Sequence, residues 1–294
     1  MLDTSSREDV CREEVADWHT TCSRLVPHRG QGVQTALEGT HGNHAVMSSA
    51  IMVIPCYNEA QRLPIHAFKA FVGAQHPYRF LFVNDGSTDG TRHVLTTLHD
   101  EDPERYALCD LPRNVGKAEA VRTGVLRAFA AAPDYIGYWD ADLATPLEAI
   151  PSFCTLLDAK PALEMVFGAR VRLLGRAIER SALRHYLGRI FATGASLTLG
   201  LGIYDTQCGA KLFRASPAMQ ALFQEPFLTR WLFDVEILAR LIRARRGRRL
   251  PQVEDIVYEF PLHAWHDVAG SKVRPWDFVR AFGGLATIYW HYLA

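Results

Sequence analysis

The chain has 294 residues, of which 48% are hydrophobic and 11% aromatic, enough to bury a full core as one large domain or two small ones. Lys plus Arg equals Asp plus Glu, so no bulk attraction to nucleic acid is expected. The charge is uneven, however: residues 1–17 carry six acids and two arginines, whereas residues 168–250 carry fifteen Lys or Arg against five acids, and that half favours an anionic partner.

Six cysteines, at 11, 22, 56, 109, 154 and 208, form no CxxC pair and no metal-finger or disulfide spacing, as expected of a reduced cytoplasmic setting. The first twenty residues are polar and charged, and no apolar run approaches the roughly 20 residues of a spanning helix. The expectation is a chain that does not cross a membrane by itself.

In chain order, residues 1–46 lack apolar periodicity and are expected to form a mobile polar extension, with a short helix near residues 7–18. From Ala50 the rhythm changes. "AIMVIP" (50–55), "RFLFVND" (79–85), "YALCDL" (106–111) and "YIGYWD" (135–140) predict buried strands, and residues 59–73, 88–100 and 115–132 predict helices. That alternation predicts right-handed crossovers and a mainly parallel α/β sheet, which binds ligands beyond the carboxyl ends of its strands. Further along, "EMVFGAR" (164–170) predicts a strand, residues 176–199 an Arg-rich helix, "DTQCGAKLFR" (205–214) a turn feeding a strand, residues 233–246 a helix, and residues 256–261 a strand. The expected domain runs over residues 47–275, followed by an amphipathic helix over residues 276–294.

Four loops leave the first strands with polar residues at their start: "PCYNE", "NDGSTDGT", "PRNVGK" and "DADLAT". Taken alone, "NDGSTDGT" reads equally as a glycine turn with Ser87 or Thr88 capping the next helix. "NVGK" lacks the GxxxxGK[ST] spacing of a P-loop. Asp140 and Asp142 end an apolar strand, and alternate residues of an extended chain point the same way. Two hard oxygen ligands there suit Mg2+ or Mn2+ bridging to nucleotide phosphates; the plainer reading is a solvated strand end with a helix cap ahead of Pro146.

"VIPCYNEAQRLP", "NDGSTDGT", "NVGKAEAVRTG", "DADLATP", "DTQCGAKLF", "RWLFDVEIL" and "GSKV", in that order, resemble a family 2 glycosyltransferase with the GT-A fold. Within that family the chain is most similar to the dolichyl-phosphate β-glucosyltransferases of the polyprenyl-phosphate branch. The resemblance implies that Pro55, Tyr57 and Glu59 line the nucleotide pocket, that Asp85 hydrogen-bonds the base, and that Gly116 and Lys117 lie beside the nucleotide. Asp140 and Asp142 become the DxD acids and metal ligands, Arg170 and Lys272 grip phosphates, and Gln207, Asp234 and Glu236 border the sugar and acceptor. Ala144 stands where the related mannosyltransferases place a third, amide ligand. Leu143 and Glu119 replace glycines common in the eukaryotic glucosyl enzymes.

The implied reaction is inverting transfer of glucose from UDP-glucose to a polyprenyl phosphate, with mannose from GDP-mannose or extension of a glycan as enzymatic alternatives. A nucleotide-sugar-binding regulator without turnover is the alternative of another class. A lipid phosphate is already an anionic nucleophile, whereas a sugar hydroxyl would need Asp234 or Glu236 as base. Arg176, Arg180, Arg184 and Arg189, interleaved with apolar residues, form either a solvated helix face or one lying on anionic lipid. The expected setting is peripheral, on the cytoplasmic face of a membrane.

Overall fold

Alternation along the first apolar run decides the layering. In strand β1 (Ala50–Cys56), Ile51 and Val53 face one core, while Ala50, Met52, Ile54 and Cys56 face a second. Side chains of period two on a sheet covered on both faces require this arrangement. The computed structural model describes residues 48–73, 77–178, 182–266, 268 and 275–294. The extension expected over residues 1–46, together with Lys272, lies outside them.

After β1 come α1 (Ile65–Gly73), β2 (Tyr78–Asn84), α2 (Thr91–Glu101), β3 (Tyr106–Asp110), α3 (Lys117–Phe129), β4 (Tyr135–Trp139), α4 (Ala149–Ala159) and β5 (Met165–Ala169). The second half contains β6 (Ala177–Ile178), α5 (Ala182–Leu199), β7 (Ala210–Arg214), α6 (Pro217–Ala221), α7 (Phe233–Arg245), α8 (Val253–Ile256), β8 (Val257–Pro261), β9 (Ala264–Trp265) and α9 (Pro275–Ile288), which continues into a π-helical turn (Tyr289–Leu293).

Seven strands form one sheet in the order β3-β2-β1-β4-β7-β5-β8. Strands β1 to β4 are mutually parallel, β7 runs antiparallel to both β4 and β5, and β8 is parallel to β5. The chain steps outward from β1 to β3, then crosses to the other side of β1 to lay down β4. That reversal is a topological switch point, where the loops after β1 and β4 diverge and leave a crevice.

Two expectations are corrected. Residues 59–64 precede α1 rather than belonging to it. The Arg-rich helix does not begin at Arg176: Ala177 and Ile178 pair in parallel with Ala264 and Trp265, because Ile178 and Trp265 bury their side chains in the second core. Helix α9 and its π-helical turn bury Leu285, Ile288 and Tyr292 in the first core beside Phe191 and Ala195 of α5.

Candidate functional site

The loops after β1 and β2 are stitched together. The Asn58 N–H donates to Ser87 Oγ (3.0 Å), the Glu59 N–H to Thr91 Oγ1 (2.7 Å), and the Thr88 N–H to Asn58 Oδ1 (2.9 Å). Asn58 takes a left-handed φ of 52°, which Asn tolerates better than most residues. Ser87 and Thr88 therefore tie two loops together and do not cap α2, whose N-terminal position is Gly90. Pro55, Tyr57 and Glu59 lie along this edge, with Tyr57 exposed.

Asp85, almost fully buried, is used by the next loop. Its carboxylate accepts from the Val115 N–H (2.7 Å), the Gly116 N–H (2.9 Å) and Asn114 Nδ2 (3.0 Å). Burial raises its pKa against the lowering effect of those two backbone donors and of Arg230. Gly116 has a φ of 97°, and a Cβ there would stand 2.9 Å from Arg230 Nε. The positive φ favours glycine, while the Arg230 side chain could shift to make room. Arg230 also donates to Asn114 Oδ1 (3.3 Å), so a residue from the distant "TRW" segment braces the NVGK loop. The motif "RWLFDVEIL" includes this arginine without indicating its role.

At the end of β4, the Asp140 N–H donates to the Gly209 carbonyl (2.9 Å), and a Cβ on Gly209 would overlap the Asp140 carboxylate. Asp140 Oδ1 accepts from Lys117 Nζ at 2.5 Å. Asp142 Oδ1 accepts from the Ala144 N–H (3.1 Å), and its Oδ2 lies 4.0 Å from Arg62 Nη2. Burial, followed by the neighbouring Asp140, raises the Asp142 pKa. Two carboxylates crowded in a half-buried corner carry unfavourable charge that a cation relieves. Among the described residues no group of three or more His, Cys, Asp or Glu is placed to hold a metal ion. The donor set fits a hard divalent ion that takes one or two carboxylates and completes its shell with water and phosphate.

Behind this corner, Lys211 is buried near the start of β7 and donates to Asp234 Oδ1 (2.5 Å), the Cys208 carbonyl (2.7 Å) and the Thr206 carbonyl (3.0 Å). The Tyr138 hydroxyl donates to the same Asp234 oxygen (2.5 Å). Burial and then Asp234 push the Tyr138 pKa well up, so it stays a phenol and a donor. Gln207, two residues before Gly209, has its side-chain Nε2 buried without a hydrogen-bond partner. Such an amide donor is costly unless something accepts from it.

Arg170 and Glu236 are placed differently from their expected roles. Arg170 forms a bidentate pair with Asp205, at 2.6 Å from Nε and 2.8 Å from Nη2. Asp205 is in turn positioned by Glu259, which accepts from its N–H (2.8 Å). The Arg170 guanidinium is thus largely committed to the scaffold. Glu236 is 0% exposed, and its carboxylate accepts from the Leu228 N–H (3.0 Å), the Thr229 N–H (3.3 Å), Arg240 Nη2 (2.8 Å) and the Tyr292 hydroxyl (2.8 Å). Its carboxylate is enclosed by these partners. Residues two apart on a helix point in very different directions, and α7 turns Asp234 toward Lys211 and Glu236 toward the C-terminus.

A model of glycosyl transferase family 2 matches residues 51–221. The chain belongs to glycosyl transferase family 2. It is 32% identical over 240 residues to a dolichyl-phosphate beta-glucosyltransferase of Saccharomyces cerevisiae, covering 76% of this chain and 68% of the relative. Identity to a Trichomonas vaginalis protein of the same description is 30% over 234 residues, covering 76% of this chain and 65% of that one. A Drosophila melanogaster relative of that description is 32% identical over 263 residues, 82% of this chain and 74% of its own. The chain thus spans about two thirds to three quarters of these relatives' length. The family 2 chain also shares its fold with glucosyl-3-phosphoglycerate synthase from Mycobacterium tuberculosis, at a TM-score of 0.57 and 16% identity, covering 82% of this chain and 80% of that one. The same synthase in complex with Mn2+, UDP and glucosyl-3-phosphoglycerate superposes at a TM-score of 0.55 and 17% identity, again over 82% of this chain and 80% of that one. The architecture is GT-A, as the motifs implied.

Proposed function

We propose that this chain transfers glucose from UDP-glucose to a polyprenyl phosphate with inversion at the anomeric carbon, acting at a membrane surface. The observation that carries this reading is the convergence of Asp140, Asp142 and Lys117 at the switch point of the sheet. The shared description of the curated relatives supports the sugar and the acceptor. The Mn2+ and UDP held by the mycobacterial synthase support a divalent cofactor and a uridine donor.

Asp142, with Asp140, would hold Mg2+ or Mn2+, which when bound stabilises charge on the departing diphosphate. The chain's own groups do the rest. Asp85 locks the 114–116 loop along the base side of the crevice, while Tyr57 and Glu59 border it from β1. Lys117 brings an ammonium to the same corner; burial alone would lower its pKa, but Asp140 and Asp234 outweigh it and shift it upward. It stays cationic and adds to the leaving-group stabilisation. Gln207 has an amide donor to offer the sugar or acceptor. Glu236 is enclosed, and Asp234 Oδ1 already accepts from Lys211 and Tyr138. The acceptor that fits best is therefore one that needs no base, a phosphate already ionised at neutral pH.

No helix among the described residues is long and apolar enough to cross a membrane. Surface contact has other candidates. Tyr186, Ile190 and Leu197 form an exposed stripe on α5, and Phe282, Tyr289 and Trp290 are exposed on the C-terminal helix packed beside it. The loop leaving β5 on the site edge carries Leu173 and Leu174 exposed next to Arg172. Aromatic and aliphatic groups flanked by arginine suit an anionic lipid interface, here the cytoplasmic face.

The test offers radiolabelled UDP-glucose and GDP-mannose separately with polyprenyl phosphate and Mg2+ or Mn2+. UDP-glucose should yield a mild-acid-labile lipid, and Asp142→Ala should cut the rate at least ~10²-fold while the fold persists. Transfer from neither donor, or full activity in the variant, refutes the reading.

A further inference from the structure

Asp140 of the DxD pair holds a cation before any ligand arrives. Lys117 Nζ stands 2.5 Å from Asp140 Oδ1, and Arg62 Nη2 stands 4.0 Å from Asp142 Oδ2. Arg62 is shared, since its Nε also stands 3.6 Å from Glu59 Oε2, whereas Lys117 is in hydrogen-bond contact with Asp140. Lys117 is also held from behind: its ammonium lies 6.0 Å from the centre of the Phe233 ring, and it starts α3 directly after Gly116, whose N–H is fixed on Asp85.

We propose that Lys117 is a built-in counter-ion that occupies Asp140 in the empty enzyme, so that the divalent cation enters together with the donor's diphosphate and not ahead of it. This rests on the reading of Asp140 and Asp142 as the metal–diphosphate corner. A bare divalent ion approaching the pair meets an ammonium already on one carboxylate. Like charges at such close range repel, more strongly in a half-buried corner than in water, so the ion must displace Lys117 or bind through Asp142 alone. A diphosphate changes the balance. It brings its own negative charge, to which a flexible four-carbon ammonium can turn, and Asp140 is then released to the metal side. Metal and nucleotide binding become positively coupled, and the coupling runs through one side chain.

The experiment measures Mn2+ binding by electron paramagnetic resonance of the free ion, with and without UDP, after subtracting Mn2+ held by UDP in solution. The wild-type chain should bind Mn2+ weakly alone and at least about tenfold more tightly with UDP. Lys117→Met should bind Mn2+ alone about tenfold more tightly than wild type, with the enhancement by UDP reduced by a similar factor. Lys117→Arg, which keeps the charge, should resemble wild type. Thermal melts confirm the fold, and Lys117→Gln replaces the methionine variant should that one unfold. Unchanged or weaker binding of bare Mn2+ in the neutral variants, with UDP still enhancing it, overturns the counter-ion role and leaves the metal corner standing. Absence of Mn2+ binding in every variant, with or without UDP, overturns the metal corner and this proposal with it.

Discussion

The two halves of the sheet use charge in opposite ways. On the β3-β2-β1-β4 side, carboxylates sit at strand ends and bind loops: Asp85 gathers the 114–116 backbone, Asp89 joins Thr91 and Ala60, and Asp140 meets Lys117 at the rim. On the β7-β5-β8 side, acids and bases pair inside the core: Lys211 with Asp234, Arg240 with Glu236, Arg170 with Asp205. The first half has polar ends around an apolar centre. In the second, buried pairs fasten α7, β7 and the C-terminal turn to one another. The same residue types therefore shape a ligand crevice on one side and fix the scaffold on the other, and the partners each group meets distinguish the roles.

Glu236→Ala tests that division most severely. It strips the partner from Arg240 and frees the Leu228 N–H and the Tyr292 hydroxyl, so unfolding in urea should show a loss of about 3–5 kcal/mol, as for a broken buried pair. A loss below about 1 kcal/mol would place Glu236 with the site acids instead.

Asp142→Asn should do the reverse on the other side. The folded chain holds the Asp142 proton to higher pH than the ordinary 3.8. The stability of the protonated form is present below that value and is lost as pH rises through the raised pKa. At neutral pH the ionised carboxylate is thus a liability, and the amide removes it. The variant should melt about 1–3 °C higher at pH 7, and the gain should vanish toward pH 3. A lower melting temperature at pH 7 would mean that Asp142 is a structural acid.

The smallest effect on stability belongs to the rim. Leu173→Ser with Leu174→Ser should leave unfolding within about 0.5 kcal/mol of wild type. Binding to vesicles containing anionic lipid should weaken at least about a hundredfold, since each leucine buried in lipid contributes roughly 1.5–3 kcal/mol. Unchanged vesicle binding would shift the lipid contact to α5 and the C-terminal helix.

Much of the architecture was legible in the residues. Short apolar runs with turn signals predicted β1 to β5, and motif order pointed to the GT-A crevice and to Asp140 and Asp142. Helix α7 was legible as a helix, but Asp234 and Glu236 were read as one functional pair, although their spacing on a helix already separates them. Lys211 had a signal too: a lysine inside the buried run "AKLF" demands a partner. Arg62 and Arg230 lie within quoted motifs, but their roles were not legible, because an arginine near a turn is ordinary until the fold brings another loop beneath it.

By itself the sequence determined the strand-helix alternation, the glycine that lets the NVGK loop close on Asp85, and the family, because these depend on local periodicity and on motifs read along one stretch. Tertiary structure alone decided which charges meet. Strand β7 inserts antiparallel between β4 and β5, bringing Lys211 and Gly209 against residues about seventy positions earlier, and the C-terminal turn carries Tyr292 back to Glu236. Whether a carboxylate becomes a ligand or a rivet is set by the partners and solvent around it, and those come from distant parts of the chain.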